Sequence, residues 1–133
     1  MPWQSYSLDQ RAQKLVLDAK IRDQDSLNQS HKMRSSVAYG LERFWGEHLR
    51  FQQSERDQSK SAYWKDVWDA LVATMKETGV DIPNDPVNVQ NPKQVLAMSE
   101  RLWEVELEDQ RVALAVLTQL CDCLVWWTQR YKK

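Results

Sequence analysis

The sequence predicts an all-α fold, a compact single-domain bundle of five or six helices with an apolar C-terminal helix at its centre. The chain has 133 residues, which suits one domain with its own core. It contains only three glycines and four prolines, and sheet proteins need turn residues far more often. Apolar residues recur at helical spacing along most of the chain, which favours long helices.

The first half of the chain predicts two helices joined by a polar segment. Ser7 is the expected N-cap of the first helix, whose narrow apolar face covers residues 8–19. Residues 22–32 are rich in Asp, Asn and Ser, so we expect a surface loop or a partly helical segment there. Helical spacing returns over residues 33–52, which predicts one continuous second helix.

The next helix is expected to end before Gly79, which stands where a C-terminal cap glycine belongs. Residues 79–91 contain Pro83 and Pro86 and are followed by Pro92, and they form the one internal linker, because proline favours extended backbone. Asn91 is the expected N-cap of the following helix, and Pro92 suits its first position. These signals place a helix on either side of the linker.

Residues 112–127 are the most apolar stretch and predict the central helix. All but three of them are apolar, so neighbouring helices are expected to cover this helix on most sides. A turn is expected near residues 104–109, and the helix itself over residues 108–131. The stretch is shorter and more interrupted than a membrane span of roughly 20 apolar residues. Because the N-terminus also has no signal-peptide pattern, we expect a cytoplasmic protein with no membrane partner.

No catalytic or metal-binding signature stands out in the sequence. His31 and His48 lack a second ligand at a suitable spacing. Cys121 and Cys123 point in different directions on a helix, so we expect free, buried thiols. The carboxylates of residues 100–109 predict a solvated acidic face or a docking surface for a basic partner. We therefore expect no enzyme activity, no metal, no cofactor and no small-molecule substrate.

Charge and tryptophan content indicate where a partner would bind. The net charge is −1, but residues 1–65 carry 11 Lys and Arg against 8 Asp and Glu, and residues 66–133 carry 7 against 11. A polyanion is therefore directed to the N-terminal half. Most of the seven tryptophans are expected in the core. Trp3 and Trp64 are the candidates for exposed contact residues.

A ridge of cations around a tyrosine is the strongest binding signal. In a continuous helix one face would hold Lys32, Ser36, Tyr39, Arg43, Gly46 and Arg50, here called the predicted ridge. Cations at this spacing can follow a phosphate backbone, and Tyr39 can stack on a base. The alternative is a solvated face on which Glu47 pairs with Arg43 or Arg50. The candidate nucleic-acid-binding residues are Lys32, Arg34, Tyr39, Arg43 and Arg50, assisted by Arg11 and Lys14.

Four features together resemble a known family. The first helix opens with Ser-Leu-Asp-Gln-Arg-Ala at residues 7–12, the predicted ridge follows, the chain is small, and an apolar helix ends with Trp126 and Trp127. These features resemble the small subunits of CRISPR effector complexes. The resemblance implies an all-helical, non-catalytic subunit of an antiviral ribonucleoprotein, which binds guide RNA or target backbone non-specifically and packs on neighbouring subunits. The alternative is a helical protein-interaction adaptor or regulatory domain without a nucleic-acid role. Its surface would be residues 100–109 or the tryptophans Trp3 and Trp64.

Overall fold

The computed structural model describes residues 7–132, and these form an all-α bundle, which confirms the predicted fold class. Its α-helices are α1 (Leu8–Arg22), α2 (Gln29–Ser36), α3 (Leu41–Gln52), α4 (Gln58–Glu77), α5 (Pro92–Trp103) and α6 (Leu107–Tyr131). Short 3₁₀ helices precede α2, α3 and α4, at Gln24–Asn28, Val37–Tyr39 and Glu55–Asp57. No strand occurs between residues 7 and 132.

The core of the bundle is aromatic and is centred on α4. Trp64 and Trp68 on this helix are 1% and 0% exposed. The ring of Phe44 on α3 lies 4.9 Å from the ring of Trp64, so α3 packs directly on this pair. Because each indole buries a large apolar area, these rings supply much of the driving force for packing α1, α3 and α6 against α4.

Helix α6 is apolar, as predicted, but its neighbours cover only one side of it. The buried side faces α1, α2 and α4 and consists of Ala113, Val116, Leu117, Leu120, Cys121, Leu124 and Thr128. On the other side Trp126 is 56% exposed and Val112 is 37% exposed. The expectation that neighbouring helices cover α6 on most sides is therefore wrong, and α4 shares the centre of the bundle.

The length of α6 weakens the argument that the apolar stretch is too short to span a membrane. The helix has 25 residues, so by length and composition alone it is long and apolar enough to cross a bilayer. Core helices of soluble proteins pass the same test, and part of the most apolar stretch of α6 is buried against its neighbours. The shortness of residues 112–127 therefore does not by itself exclude a span, and the absence of a membrane partner stays a prediction.

Most of the polar segment at residues 22–32 is helical, so the partly helical alternative is confirmed and the surface-loop alternative is wrong. After a short 3₁₀ helix, α2 begins at Gln29. Within α2 the buried residues are Gln29, Ser30 and Met33, so only one of them is apolar. Local hydrophobic spacing could not reveal such a helix, because polar side chains occupy its inner face.

Hydrogen bonds hold the inner face of α2 in the core. The Ser30 hydroxyl lies 2.6 Å from the hydroxyl of Tyr63 on α4 and 2.6 Å from that of Thr128 on α6. Beside it, the Trp64 indole N–H donates to the Gln29 side-chain oxygen at 3.0 Å. Burial raises the pKa of Tyr63 to about 12, so its hydroxyl stays protonated at neutral pH. These bonds join α2 to both long helices.

The ends of the helices test the predicted caps. The Asn91 side chain accepts hydrogen bonds from two backbone N–H groups of α5, with Pro92 at the first position, as predicted. At the end of α4, Gly79 adopts φ +89°. Its N–H and that of Val80 bond back to carbonyls of α4, which is the expected glycine cap. Ser7 occupies the N-cap position of α1, as predicted, but its side chain makes no capping hydrogen bond.

Ser30→Ala is expected to lower the free energy of unfolding by about 1–3 kcal/mol, because it leaves the hydroxyls of Tyr63 and Thr128 buried without their shared partner. Urea unfolding followed by circular dichroism measures this. Ser35→Ala is the matched control, since Ser35 is exposed on the same helix. Equal losses in the two variants would contradict a structural role for the buried bridge.

Candidate nucleic-acid interface

The predicted ridge does not run along one helix. Lys32 and Ser36 lie on α2, Tyr39 lies in the following 3₁₀ helix, and the remaining ridge residues lie on α3. Gly40 adopts φ +97° between the helices, a conformation that favours glycine, and it turns the chain there. The prediction of one continuous helix over residues 33–52 is therefore wrong, and helical spacing no longer relates Lys32 to Arg50.

What remains is a basic and aromatic elbow where α2 meets α3, formed by His31, Lys32, Ser36, Tyr39 and Arg43. Tyr39 is 67% exposed, and the Arg43 guanidinium carbon lies 5.3 Å from the centre of its ring. This cation–π contact orients both side chains. Neither Lys32 nor Arg43 forms an ion pair with another residue in the described part of the chain.

A shallow hollow of about 330 Å³ lies on the α2 side of the elbow. Its lining is His31, Lys32, Ser35, Ser36 and Tyr39. The Ser36 hydroxyl donates to the Met33 carbonyl oxygen at 2.9 Å, so this side chain is fixed against its own helix. The hollow therefore presents an exposed cation and an aromatic edge to the solvent, a combination that suits a sugar–phosphate chain.

The other predicted cations are paired with carboxylates and lie elsewhere. The pairs are Arg11 with Glu77, Lys14 with Asp18 at 3.2 Å, Arg34 with Asp122 at 2.7 Å and Arg50 with Glu47 at 2.9 Å. Arg11 and Lys14 line a hollow between α1 and α4 that also holds three aspartates. Such exposed pairs add little stability, but each carboxylate lowers the positive potential offered to a phosphate.

The two arginines that α3 contributes to the predicted ridge have different neighbours. Arg50 forms the predicted ion pair with Glu47, and hydrogen bonds to that carboxylate raise the pKa of Arg50. Arg43 instead stacks on Tyr39. The solvated-face alternative therefore describes Arg50, whereas Arg43 lies over the Tyr39 ring and forms no ion pair within residues 7–132.

A second hollow, which sequence reasoning missed, lies beside His48. Its volume is about 390 Å³, and residues of α3, α4 and the linker line it, among them Lys65 and Asn84. His48 Nδ1 lies 2.6 Å from the Trp45 carbonyl oxygen. A carbonyl only accepts, so Nδ1 carries the hydrogen and Nε2 is left as an acceptor. Linker residues 84–87 form part of the lining of this hollow, and local spacing cannot reveal such a contact.

The imidazole of His48 in this hollow favours its neutral form. Burial lowers the pKa of His48, and the nearby charge of Lys65 lowers it further, against the opposing effects of the Trp45 hydrogen bond and Asp69. Lys65 itself is bound to Asp69 and Asn84. Between residues 7 and 132, no group of three or more His, Cys, Asp or Glu is placed to hold a metal ion.

The cysteines are free, as predicted. Cys121 is buried and Cys123 is half-buried on α6. Burial raises the pKa of both thiols, that of Cys123 to about 11, so they stay protonated at neutral pH. A protonated thiol is a poor nucleophile, and these side chains serve the packing of α6.

The exposed tryptophans differ from the predicted ones. Trp64 is 1% exposed, so the prediction that it is a surface contact is wrong, and Trp3 lies outside the described residues. Trp103 and Leu107 are instead 62% and 63% exposed. Both lie within residues 100–109, the stretch already singled out for its carboxylates, so apolar and acidic groups share that surface.

The free energy of unfolding is expected to fall as pH falls below 6.5, the ordinary pKa of histidine. In that range the unfolded chain takes up a proton that folded His48, with its lowered pKa, does not, so acid favours unfolding and stability returns as pH rises. Urea unfolding across about pH 5–8 measures the slope. His48→Asn keeps a donor for the Trp45 carbonyl, cannot titrate, and should flatten the slope. His31→Asn controls for loss of a histidine, and an unchanged slope in His48→Asn would contradict the assignment.

Comparison with known proteins gives no relative on which to rest a function. The scan against protein-family models found no match, and the searches of curated proteins and of solved structures found none either. The basis for a functional proposal is therefore the geometry of the elbow and the surfaces around it, together with the family resemblance of the sequence.

Proposed function

We propose that this chain is a non-catalytic small subunit of a CRISPR ribonucleoprotein effector complex and binds the nucleic-acid backbone without sequence preference. The binding surface is the basic and aromatic elbow. The observation that supports this proposal is the exposed Tyr39 ring, held by Arg43 and flanked by Lys32, which forms no ion pair within residues 7–132. The all-α fold and the family resemblance are consistent with it.

Each group of the elbow has a distinct role in this proposal. Lys32 and Arg43 neutralise phosphates on either side of Tyr39, which releases counterions and provides affinity without reading bases. The exposed face of Tyr39 stacks on a base, and every base has such a face. Binding of this kind tolerates any sequence, as a subunit that holds a guide or a target strand requires.

The charge of the molecule sets the expected strength of binding. The net charge is −1, and four of the seven predicted contact residues are paired with carboxylates. The isolated chain therefore binds weakly and with strong salt dependence. In an assembly, contacts from neighbouring subunits raise the effective concentration and convert weak contacts into stable retention of the strand.

Arg43→Gln is expected to weaken binding and to reduce the slope of log K against log salt by about 0.7, the value for one phosphate contact on a single strand. Tyr39→Ala is expected to cost about 1–3 kcal/mol of binding energy through lost stacking. Fluorescence anisotropy with labelled single-stranded RNA and DNA across salt concentrations measures both.

Lys14→Gln is the matched control for the loss of one positive charge. Lys14 lies on α1 and is paired with Asp18, away from the elbow, so its loss should leave affinity and slope unchanged. If Arg43→Gln and Lys14→Gln behaved alike, the elbow would not be the binding surface. If the unmodified chain failed to bind even at low salt, the nucleic-acid role itself would be wrong.

A protein-binding adaptor is the second candidate, and one observation favours it. Trp103 and Leu107 are exposed among the carboxylates of Glu100, Glu104 and Glu108. Exposed aromatic residues with an acidic rim suit a basic protein partner. Purification of the tagged chain from its host separates the two candidates. Co-purifying RNA that nuclease releases supports the first, whereas one basic protein without RNA, lost on Glu104→Lys, supports the second.

A further inference from the structure

The face formed by α3 and α5 contains an open apolar groove away from the elbow hollow. The two helices run antiparallel, because Glu42 at the start of α3 accepts a hydrogen bond from Ser99 near the end of α5. The groove has a volume of about 570 Å³ and its other end is bordered by Arg50 and Pro92. Leu49 and Val95 form apolar parts of its lining, and Trp103 and Leu96 stand exposed on its α5 side.

Gly46 in this groove is not explained by the packing within the chain. A glycine inside a helix costs up to about 1 kcal/mol relative to alanine. Its backbone is helical, and a Cβ added there would meet only the Glu42 carboxylate oxygen, at 3.8 Å. The missing side chain instead leaves the α3 backbone open to close approach from outside. Glu42 and Arg50 lie four residues before and four residues after this glycine, on the same side of α3.

An exposed stripe on α5 also has charges of opposite sign on either side of a central residue. Lys93, Leu96, Glu100 and Trp103 are all exposed and recur at the spacing of one helix face. Leu96 lies near the middle, with a cation on one side and a carboxylate on the other. On each helix, therefore, an apolar or small residue stands between charges of opposite sign.

We infer that the α3–α5 face binds a second copy of this chain in a closed two-fold pair. A two-fold axis that lies in the interface, perpendicular to both helices and level with Gly46 and Leu96, stacks α3 on α3 and α5 on α5 in antiparallel fashion. Rotation about this axis reverses each helix. Glu42 of one copy then lies opposite Arg50 of the other, and Lys93 lies opposite Glu100, and each pair occurs twice.

The same rotation pairs the apolar groups. Leu96 meets Leu96 of the other copy, and Trp103 covers the region of Val89 and Pro92 at the far end of the groove. The interface then has an apolar centre with a charged rim, the usual anatomy of a protein–protein contact. A second copy is favoured over another partner because the pattern of charges is complementary to itself.

Arg50 is already ordered for this contact. Its guanidinium is hydrogen-bonded to Glu47 and lies 4.3 Å from the Phe51 ring centre, so little side-chain freedom is lost on pairing. Glu42 likewise accepts from Ser99. Both residues keep these bonds and add a cross-copy partner, because a carboxylate and a guanidinium can each serve several hydrogen bonds.

Sedimentation velocity of the full chain across concentrations, without nucleic acid, tests the pair. The unmodified chain is expected to form a dimer whose fraction rises with concentration, and Leu96→Glu is expected to abolish it. Ile21→Glu is the matched control, since Ile21 is 85% exposed on α1, outside the groove, and should leave the dimer intact. A chain that stays monomeric at millimolar concentration, or an equal effect of both variants, overturns the inference.

A charge exchange tests the two-fold arrangement itself. Glu42→Arg or Arg50→Glu alone places like charges opposite each other twice and is expected to raise the dimer dissociation constant about tenfold or more. The double variant exchanges the two charges and is expected to restore most of the affinity. Failure of the double variant to recover, with all three variants folded by circular dichroism, overturns the antiparallel pair. These outcomes are independent of nucleic-acid binding at the elbow.

Discussion

The buried hydroxyl bridge between Ser30, Tyr63 and Thr128 is the constraint on which the functional surface depends. Helix α2 buries a single apolar residue, Met33, so hydrophobic burial alone cannot hold it in place. The bridge binds it to α4 and α6 at once. A buried polar group without a hydrogen-bond partner raises the free energy of the folded state. Other positions of α2 that packing would allow would leave these hydroxyls unpaired, so the bridge favours one position. The elbow continues directly from this helix, so its geometry follows from that position.

The sequence was sufficient for the parts of the fold that local chemistry determines. Periodic apolar residues located the long helices, and Asn91 and Gly79 marked helix ends because capping uses groups within a few residues of one another. It was not sufficient for α2, whose inner face is polar and whose partners lie 33 and 98 residues away. The apolar spacing on both sides of Gly40 predicts one continuous helix, whereas the chain turns at this residue. Whether a glycine continues a helix or turns the chain depends on what the flanking segments pack against, and a local pattern does not contain that information.

In the candidate site, contacts between residues close in the sequence were predictable, whereas contacts between distant residues were not. Tyr39 and Arg43 come together because they are four residues apart, which sequence spacing captures even across the start of a helix. Arg34 is a predicted contact residue, and local spacing could not show that it pairs with Asp122, which lies 88 residues away. Tertiary packing also determines which tryptophans are exposed. Trp64 and Trp103 both follow an apolar or aromatic residue in the sequence, but Trp64 is buried and Trp103 is exposed.

The distribution of indole rings between core and surface gives this protein two separate optical signals. Trp64 and Trp68 are shielded from water, whereas Trp103 and Trp126 are 62% and 56% exposed. Indole emission shifts to the red in a polar environment, so the shielded rings emit at shorter wavelength and soluble quenchers reach the exposed ones first. For the tryptophans within residues 7–132, loss of the short-wavelength emission therefore reports unfolding of the core. Protection of the long-wavelength emission of Trp103 and Trp126 from a quencher reports an event at the surface of α5 or α6.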